Sequence, residues 1–454
     1  MSSPDADIEI APWGDPSAWR DFFQERQLRR DFAASLTLKD PCVYVSHGDF
    51  ECQMASPRMD GESVSFLSYP WVHPSAGLPH GRLRVAAALS TDLDESDVIL
   101  GGAKKLDALL ASVARGAPAG CLVALVPDCV PLLTGEDVEG IVRRRAPALG
   151  ERLVYLNLAA DPRATLFEKL FAKFHGGGRR RAARGRVNLV GFPDVAGTRE
   201  LIGLLAGLGV RVNARLLPDF SVAEIRRWDG ADLQVLLPHR LLEAAFERAA
   251  LSAKGGRTRS EDGVPMAAAA GRRAVAPPAP YGLAGTRRWL EAVLAAAGKP
   301  RLLREAWPRL SADAEAGFRR AKSRLRGRSV ILVDDALAVA RYSDPRRTFG
   351  VPLLPVLREM GVGVRFALYR APGKARPPRR GVRWFSSPRE LGRILRGEPC
   401  RAVFSNVFFD RRITRAGKTP FSLSIFEMGL AGAVRSLRRM DGVTSLDFYE
   451  KNAP

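Results

Sequence analysis

Short apolar runs of strand type recur along the chain, each followed by turn-forming residues and then by a stretch with helical spacing of apolar positions. The first run is Cys42-Val-Tyr-Val-Ser-His-Gly, β-branched and aromatic, and it closes on a glycine turn. A helix is expected before it, over residues 14–38, where charged residues flank the stripe in Ser17-Ala-Trp-Arg-Asp-Phe-Phe-Gln-Glu-Arg. Residues 53–90 show no period and read as long loops. Ser96-Asp-Val-Ile-Leu-Gly-Gly-Ala-Lys-Lys-Leu reads as a strand, a Gly-Gly turn and a helix, and Leu122–Val126 and Leu153-Val-Tyr-Leu-Asn-Leu as further strands. Strands alternating with helices imply a parallel sheet covered on both faces.

The pattern then repeats twice. Gly176-Gly-Gly-Arg-Arg-Arg-Ala-Ala-Arg-Gly185 is poor in apolar residues and marks a break. After it come the strands Val187-Asn-Leu-Val and Val210-Arg-Val-Asn, a helix with Thr198 as its expected N-cap, a helix after Ser221, and the strand Leu233-Gln-Val-Leu-Leu. Residues 252–279, rich in Ala, Gly, Pro and Arg, read as a loop insertion, and a helix opens after Tyr281. A third unit starts near Arg328 with Ser329-Val-Ile-Leu-Val-Asp-Asp. It continues through strands at Val364, Val382, Ala402 and Thr419 and ends in a helix from Leu430. The expected architecture is α/β, with three Rossmann-like domains built on mainly parallel sheets, over residues 1–180, 186–325 and 326–454. A chain of 454 residues is long enough for three such cores.

Charge changes this picture little. The formal net charge of +21 invites a nucleic-acid reading. Only 11 of the 70 basic residues are Lys, however, and the Arg residues are scattered rather than striped. With the abundant Ala, Gly and Pro, this is the composition of a GC-rich genome, and no aromatic platform or recognition helix accompanies it. No apolar run approaches a membrane span, and the first residues lack the basic and apolar regions of a signal peptide. Five cysteines without the spacing of a secreted scaffold complete the expectation of a cytoplasmic protein with mostly reduced thiols and no membrane partner.

Candidate chemistry sits in two stretches that end in cysteine: Val43-Tyr-Val-Ser-His-Gly-Asp-Phe-Glu-Cys52 and Val123-Ala-Leu-Val-Pro-Asp-Cys129. Each is a strand, a few turn residues and a thiol. Ligands of open α/β sheets bind outside the carboxyl ends of strands, so Cys52 and Cys129 could face one metal centre. The ordinary alternative is a pair of buried small apolar thiols. Two thiols need further donors, from a partner chain or from a carboxylate such as Asp40, Asp49 or Asp128. His47 is either part of that chemistry or a turn histidine bonded to backbone. Cys42, Cys121 and Cys400 read as core residues. Asp334 and Asp335 end a strand and read first as a helix N-cap, with a cleft-facing role as the alternative. Gly101-Gly102 followed by Lys104-Lys105 lacks the spacing of a phosphate-binding loop, so no nucleotide site is expected on this chain.

In order and wording, these pieces resemble the component 1 proteins of the nitrogenase family, which comprises the molybdenum–iron protein subunits, their cofactor-assembly scaffolds and the dark-operative protochlorophyllide and chlorophyllide reductases. Ser46-His-Gly-Asp-Phe-Glu-Cys52 is similar to the family's Ser-His-Gly-Pro-x-Gly-Cys element, with Pro and Gly replaced. Asp97-Val-Ile-Leu-Gly-Gly-Ala-Lys-Lys-Leu106 and Cys129-Val-Pro-Leu-Leu-Thr-Gly-Glu-Asp-Val138 resemble two more. Gly191-Phe-Pro through Pro238, with Leu-Gly-Val-x-Val-Asn at 208–213, and Pro280-Tyr-Gly-Leu-Ala-Gly-Thr286 with Trp289-Leu290 extend the likeness from about residue 40 to 440.

The resemblance implies a subunit of a two-component oxidoreductase. Its Fe–S cluster, of the 4Fe-4S type, would be shared across an interface with a second component 1-type subunit, a paralogue or a second copy. It would receive electrons from an ATP-hydrolysing iron protein, with Cys52 and Cys129 at ligand positions. The alternative within the family is a non-catalytic partner or scaffold for metallocofactor assembly. Two departures bear on this. The family's further upstream cysteine is absent from Gln27–Asp40, and no cysteine in 240–290 or histidine after His239 stands where a nitrogen-fixing cofactor would be held. No catalytic residue and no substrate can be carried over.

Overall fold

The computed structural model describes residues 37–49, 84–157, 166–175, 183–239, 273–335, 339, 342–348, 350–370, 380–404 and 411–452. The helix expected over 14–38 lies outside the described residues except at its end, where Thr37–Leu38 is a strand instead, and Cys52 also lies outside them. So does the larger part of the 252–279 insertion.

Three sheets carry the fold, and every strand pair within them is parallel. The first has the order Arg84–Ser90, Pro41–His47, Leu122–Pro127, Leu153–Tyr155. The second runs Arg273–Val275, Ala231–Leu236, Ala183–Val190, Arg211–Leu216. The third runs Val382–Phe385, Gly363–Tyr369, Ser329–Asp335, Ala402–Phe404, Thr419–Phe421. In each, the strand that comes first in the chain is interior. Its neighbours leave to opposite sides, so each sheet has a switch point at the carboxyl end of that strand.

Strand alternation distributes the side chains between cores. On Pro41–His47, Val43 and Val45 enter a core with Leu106, Leu110 and Ile141 of the helices Ala103–Gly116 and Val138–Leu149. Cys42 faces the other way, into a core shared with the second sheet through Leu216, Phe220 and Trp228 and with the helix Leu166–Phe174. Cys121 belongs to the first of these cores, on the face opposite Cys42. A larger core joins the second and third sheets through Trp289, Leu332, Phe404 and Leu437. The first and second units are also stitched by a short strand pair and a backbone-to-carboxylate bond. Thr37–Leu38 pairs with Asp219–Phe220, and the Val222 N–H donates to Asp40 Oδ2 at 2.7 Å.

Several expectations are corrected. Glu95–Leu100 is a helix, not a strand: Asp94 accepts from the Ser96 and Asp97 amides, and Asp97 returns the favour to the Asp94 amide. That reciprocal cap outweighs the β preference of Val98-Ile99. Arg84–Ser90, read as loop, is a strand. Arg273–Val275, inside the expected insertion, is an edge strand. The strand Ala183–Val190 begins within the Gly/Arg break. Thr198 is no N-cap: the helix Ala196–Gly207 starts at Val195 and Thr198 is fully buried in its first turn.

The helix Leu430–Ser445 lacks a cap of its own and borrows one from the second unit. Glu200 Oε1 accepts the Leu430 and Ala431 N–H groups at 3.0 and 2.9 Å. These are two of the amides that a helix start leaves without intrahelical partners. Glu200→Ala is expected to cost about 1–2 kcal/mol, within the range of lost N-terminal caps, read as a lowered urea midpoint at unchanged slope. A midpoint equal to wild type would remove Glu200 from the set of inter-unit ties.

Candidate functional site

The switch point of the first sheet lies between His47 and Pro127, where the strands Pro41–His47 and Leu122–Pro127 end side by side. Backbone hydrogen bonds continue past both strands. Asp128 N–H donates to the His47 carbonyl at 2.8 Å, Thr91 N–H to that of Ser46 at 3.1 Å, and Leu93 N–H to that of Gly48 at 3.0 Å. Three loops therefore leave the sheet as one zipped edge. Gly48 is required there by contact: a Cβ on it would lie 2.5 Å from both Cβ and Oδ2 of Asp128. Ser46 Oγ donates to Asp128 Oδ2 at 2.8 Å, so this buried carboxylate already has an internal partner.

His47 is fully buried. Its Nε2 lies 3.1 Å from Glu136 Oε1 and its Nδ1 3.0 Å from Thr91 Oγ1. A carboxylate only accepts, so Nε2 carries the proton and donates to Glu136. Burial pushes the His47 pKa below its ordinary value, while the Glu136 carboxylate pulls the other way. The ring is accordingly neutral near pH 7, and Nδ1 accepts from the Thr91 hydroxyl. Thr91 Oγ1 in turn accepts the Gly48 N–H at 3.2 Å. The expectation of a backbone-bonded turn histidine is corrected: His47 is held by two side chains from loops 44 and 89 residues away. With both nitrogens engaged it is not disposed as a ligand.

Cys129 opens the short helix Cys129–Leu133 directly after Asp128. It is disulfide-bonded, whereas Cys42, Cys121 and Cys400 are free and buried. This corrects the expectation of reduced thiols at one position. Burial pushes the Cys42 thiol up to about 12, so it stays protonated and inert in its core, as expected of a core residue. Asp40 sits before the opposite end of its strand, about 26 Å from Gly48 at the rise of an extended strand. It spends an oxygen on Val222 and so leaves the set of possible donors. Asp49, directly after Gly48, is half-buried. Among the described residues, no three His, Cys, Asp or Glu side chains converge as a metal site. The described group whose chemistry suits an Fe–S cluster is the Cys129 sulfur, once reduced to a thiolate.

The other sequence candidates lie elsewhere. Asp334 is fully buried and accepts a short hydrogen bond from the Tyr342 hydroxyl, which corrects its expected N-cap role. Gly101-Gly102 is a tight turn between two helices, with Gly101 at φ +92° and Gly102 pressed against Leu93. Sequence reasoning missed Glu136. Its one signal was the position after Gly135 in the Cys129 element, which says nothing of the partner loop.

Just outside the switch point, Val98, Ile99 and Leu100 are 38, 81 and 84 % exposed, and Leu133 is 83 % exposed. The helix Glu95–Leu100 buries none of its residues. Polar contacts hold it from below: Lys105 Nζ pairs with Asp94 at 3.1 Å, closely with Asp97, and reaches the Asp92 carbonyl at 3.4 Å. These anchors hold the apolar side chains of Val98–Leu100 outward.

The three parallel sheets and the thiol-bearing switch point define an α/β protein of the kind that binds its ligand at strand ends. The family follows from comparison: the chain belongs to the nitrogenase component 1 type oxidoreductases, whose sequence profile matches residues 42–441. Over 165 residues it is 29 % identical to the nitrogenase iron-molybdenum cofactor biosynthesis protein NifE of Nostoc sp. strain PCC 7120, which covers 34 % of this chain and 33 % of that protein. The match thus spans about a third of the length of that curated relative. Among solved structures, nitrogenase Cp1 at pH 5 superposes with a TM-score of 0.62 at 15 % identity, covering 94 % of this chain and 89 % of that one. The same protein at pH 6.5 gives 0.60 at 14 % identity. These likenesses show the fold. Among the described residues, no helix is long and apolar enough to cross a membrane.

Proposed function

We propose that the chain is a component 1-type subunit of a two-component oxidoreductase, in which Cys129 and Cys52 supply two thiolate ligands of an Fe–S cluster of the 4Fe-4S type. The observation that carries the reading is the placement of Cys129 at the switch point of the first sheet, in a chain of this family. The remaining ligands come from a second component 1-type subunit, a paralogue or another copy, because the described residues offer no completed set. Asp49 is a further candidate donor from this chain. Asp128 is buried and holds Ser46 through Oδ2, which makes it the less accessible donor. When bound, such a cluster accepts and passes on single electrons. The chain's own part is to hold the exposed Cys129 sulfur at the strand-end switch point and to present the ridge at Val98–Leu100 to the electron donor, an ATP-hydrolysing iron protein. We also read the three sheets as three domains, over 1–180, 186–325 and 326–454.

The alternative is a scaffold for metallocofactor assembly, and the similarity to a cofactor biosynthesis protein favours it specifically. Both readings predict iron and sulfide in protein purified anaerobically with its partner subunit. They part on turnover. An oxidoreductase subunit is reduced by an iron protein with ATP, seen as bleaching of its visible absorbance, and an Ile99→Asp, Leu100→Asp variant slows that step. Exchange of exposed side chains shifts stability by no more than about 0.5 kcal/mol, so the slowing reports docking. Iron-loaded protein that no iron protein reduces would favour the scaffold. Protein without iron would remove both readings.

A further inference from the structure

Glu136 is a carboxylate whose side chain is only 8 % exposed, yet it pairs with no Lys or Arg among the described contacts. Oε1 accepts from His47 Nε2 at 3.1 Å and Oε2 from the Gly102 N–H at 3.2 Å. Its own N–H donates to the Pro131 carbonyl at 3.0 Å, across the turn made by Gly135 at φ +71°. One residue therefore joins three pieces of chain. These are the turn that begins at Cys129, the strand end at His47, and the Gly101-Gly102 joint at the foot of the apolar ridge. Gly102 is shaped for this, since a Cβ there would lie 3.1 Å from His47 Cε1 and 2.4 Å from Leu93 Cδ2. An apolar side chain of similar volume would avoid the cost of burying a charge. What the carboxylate supplies is geometry, through two fixed acceptor positions.

We infer that Glu136, with His47, is a positioning residue: a clamp that fixes the Cys129 turn against the strand end leading to Cys52 and couples both to the partner-facing ridge. A displacement of the ridge loads the Gly102–Glu136 bond and reaches the sulfur through the Glu136–Pro131 link. A change at the sulfur reaches the ridge by the same bonds, as linkage requires. The role given to the sulfur rests on the function proposed above; the clamp itself does not.

The test reads the two ends of the clamp without any cluster. In the reduced full-length protein, hydrogen exchange is followed by mass spectrometry over the Cys129 turn, residues 129–136, where Cys129 itself is already exposed, and over residues 95–106, with iodoacetamide labelling of Cys400 read alongside. Cys400, buried in the core of the third sheet, serves as the reference for global opening. Loss of buried hydrogen bonds to a charged group predicts that Glu136→Ala raises both readouts by at least about tenfold while Cys400 is unchanged. Glu136→Gln, which keeps an acceptor for Gly102 and a polar group for His47, returns both toward wild type. If the alanine variant does not fold, Glu136→Asp keeps the charge, shortens its reach and carries the same expectation. Unchanged exchange at the Cys129 turn and at the ridge, or a parallel rise in Cys400 labelling, would overturn the clamp. Absence of iron in the wild type leaves all these readouts intact, so a failure of the proposed function is told apart from a failure of the clamp.

Discussion

Cys129→Ser is expected to bring the iron and sulfide content of anaerobically purified protein to background and to abolish its visible charge-transfer absorbance, with little change in the unfolding midpoint of the metal-free chain when both proteins are compared under reducing conditions, where no disulfide contributes. The reasoning is chemical. Fe–S clusters are held by thiolates, and a serine hydroxyl stays protonated at neutral pH where a cluster-bound cysteine does not. Cys129 stands at the start of a helix whose one buried residue is Pro131, so its removal opens no large cavity. The disulfide at Cys129 adds a condition: the sulfur becomes a ligand only after reduction, so loading should require a thiol reductant in the wild type. Serine variants of Cys42 or Cys400 should keep their iron. Wild-type iron content in Cys129→Ser protein would show that the sulfur is structural.

The second large effect is expected at Gly48. A methyl group there must enter space held by Cβ and Oδ2 of Asp128, both 2.5 Å from the new atom, on a strand end zipped to its neighbours by hydrogen bonds. Neither side can yield without breaking the Ser46–Asp128 bond or the Asp128–His47 backbone bond. Gly48→Ala should therefore destabilise by about 2–3 kcal/mol, in the range of overpacked cores, measured by urea unfolding. It should also impair iron loading by shifting the start of the Cys129 helix. Gly203→Ala is the contrast. That glycine lies in the helix Ala196–Gly207 with open space at its Cβ position, and alanine there should be neutral or stabilising by up to about 1 kcal/mol. Equal effects of the two substitutions would mean that the Gly48 contact relaxes freely.

The elements that the sequence announced were those whose apolar run is long and β-branched, such as Val43-Tyr-Val and Val330-Ile-Leu-Val. Those that escaped have physical reasons. Arg84–Ser90 carries three successive alanines, weak strand formers with no alternation to betray them. Glu95–Leu100 was hidden because Val98-Ile99-Leu100 imitates a strand, although the helix signal was present in Asp94 and Asp97, three residues apart. At the site, the thiol after a strand was legible, because a strand, a turn and a cysteine are contiguous. The environment of His47 was not. Its partners arrive from loops that the sheet brings together only after folding, and no local pattern encodes that meeting. Asp334 differs: its partner Tyr342 lies only eight residues on, just past the strand end, but no spacing rule pairs the two.

The alternation of the strand Pro41–His47 has one more consequence. Cys42 stands on one strand and Cys121 directly before its neighbour, with Cys42 in register with Leu122, yet their sulfurs enter cores on opposite faces of the sheet. An oxidant reaching this unit therefore cannot cross-link the two. The sheet acts as an insulating partition between two buried thiols of one unit.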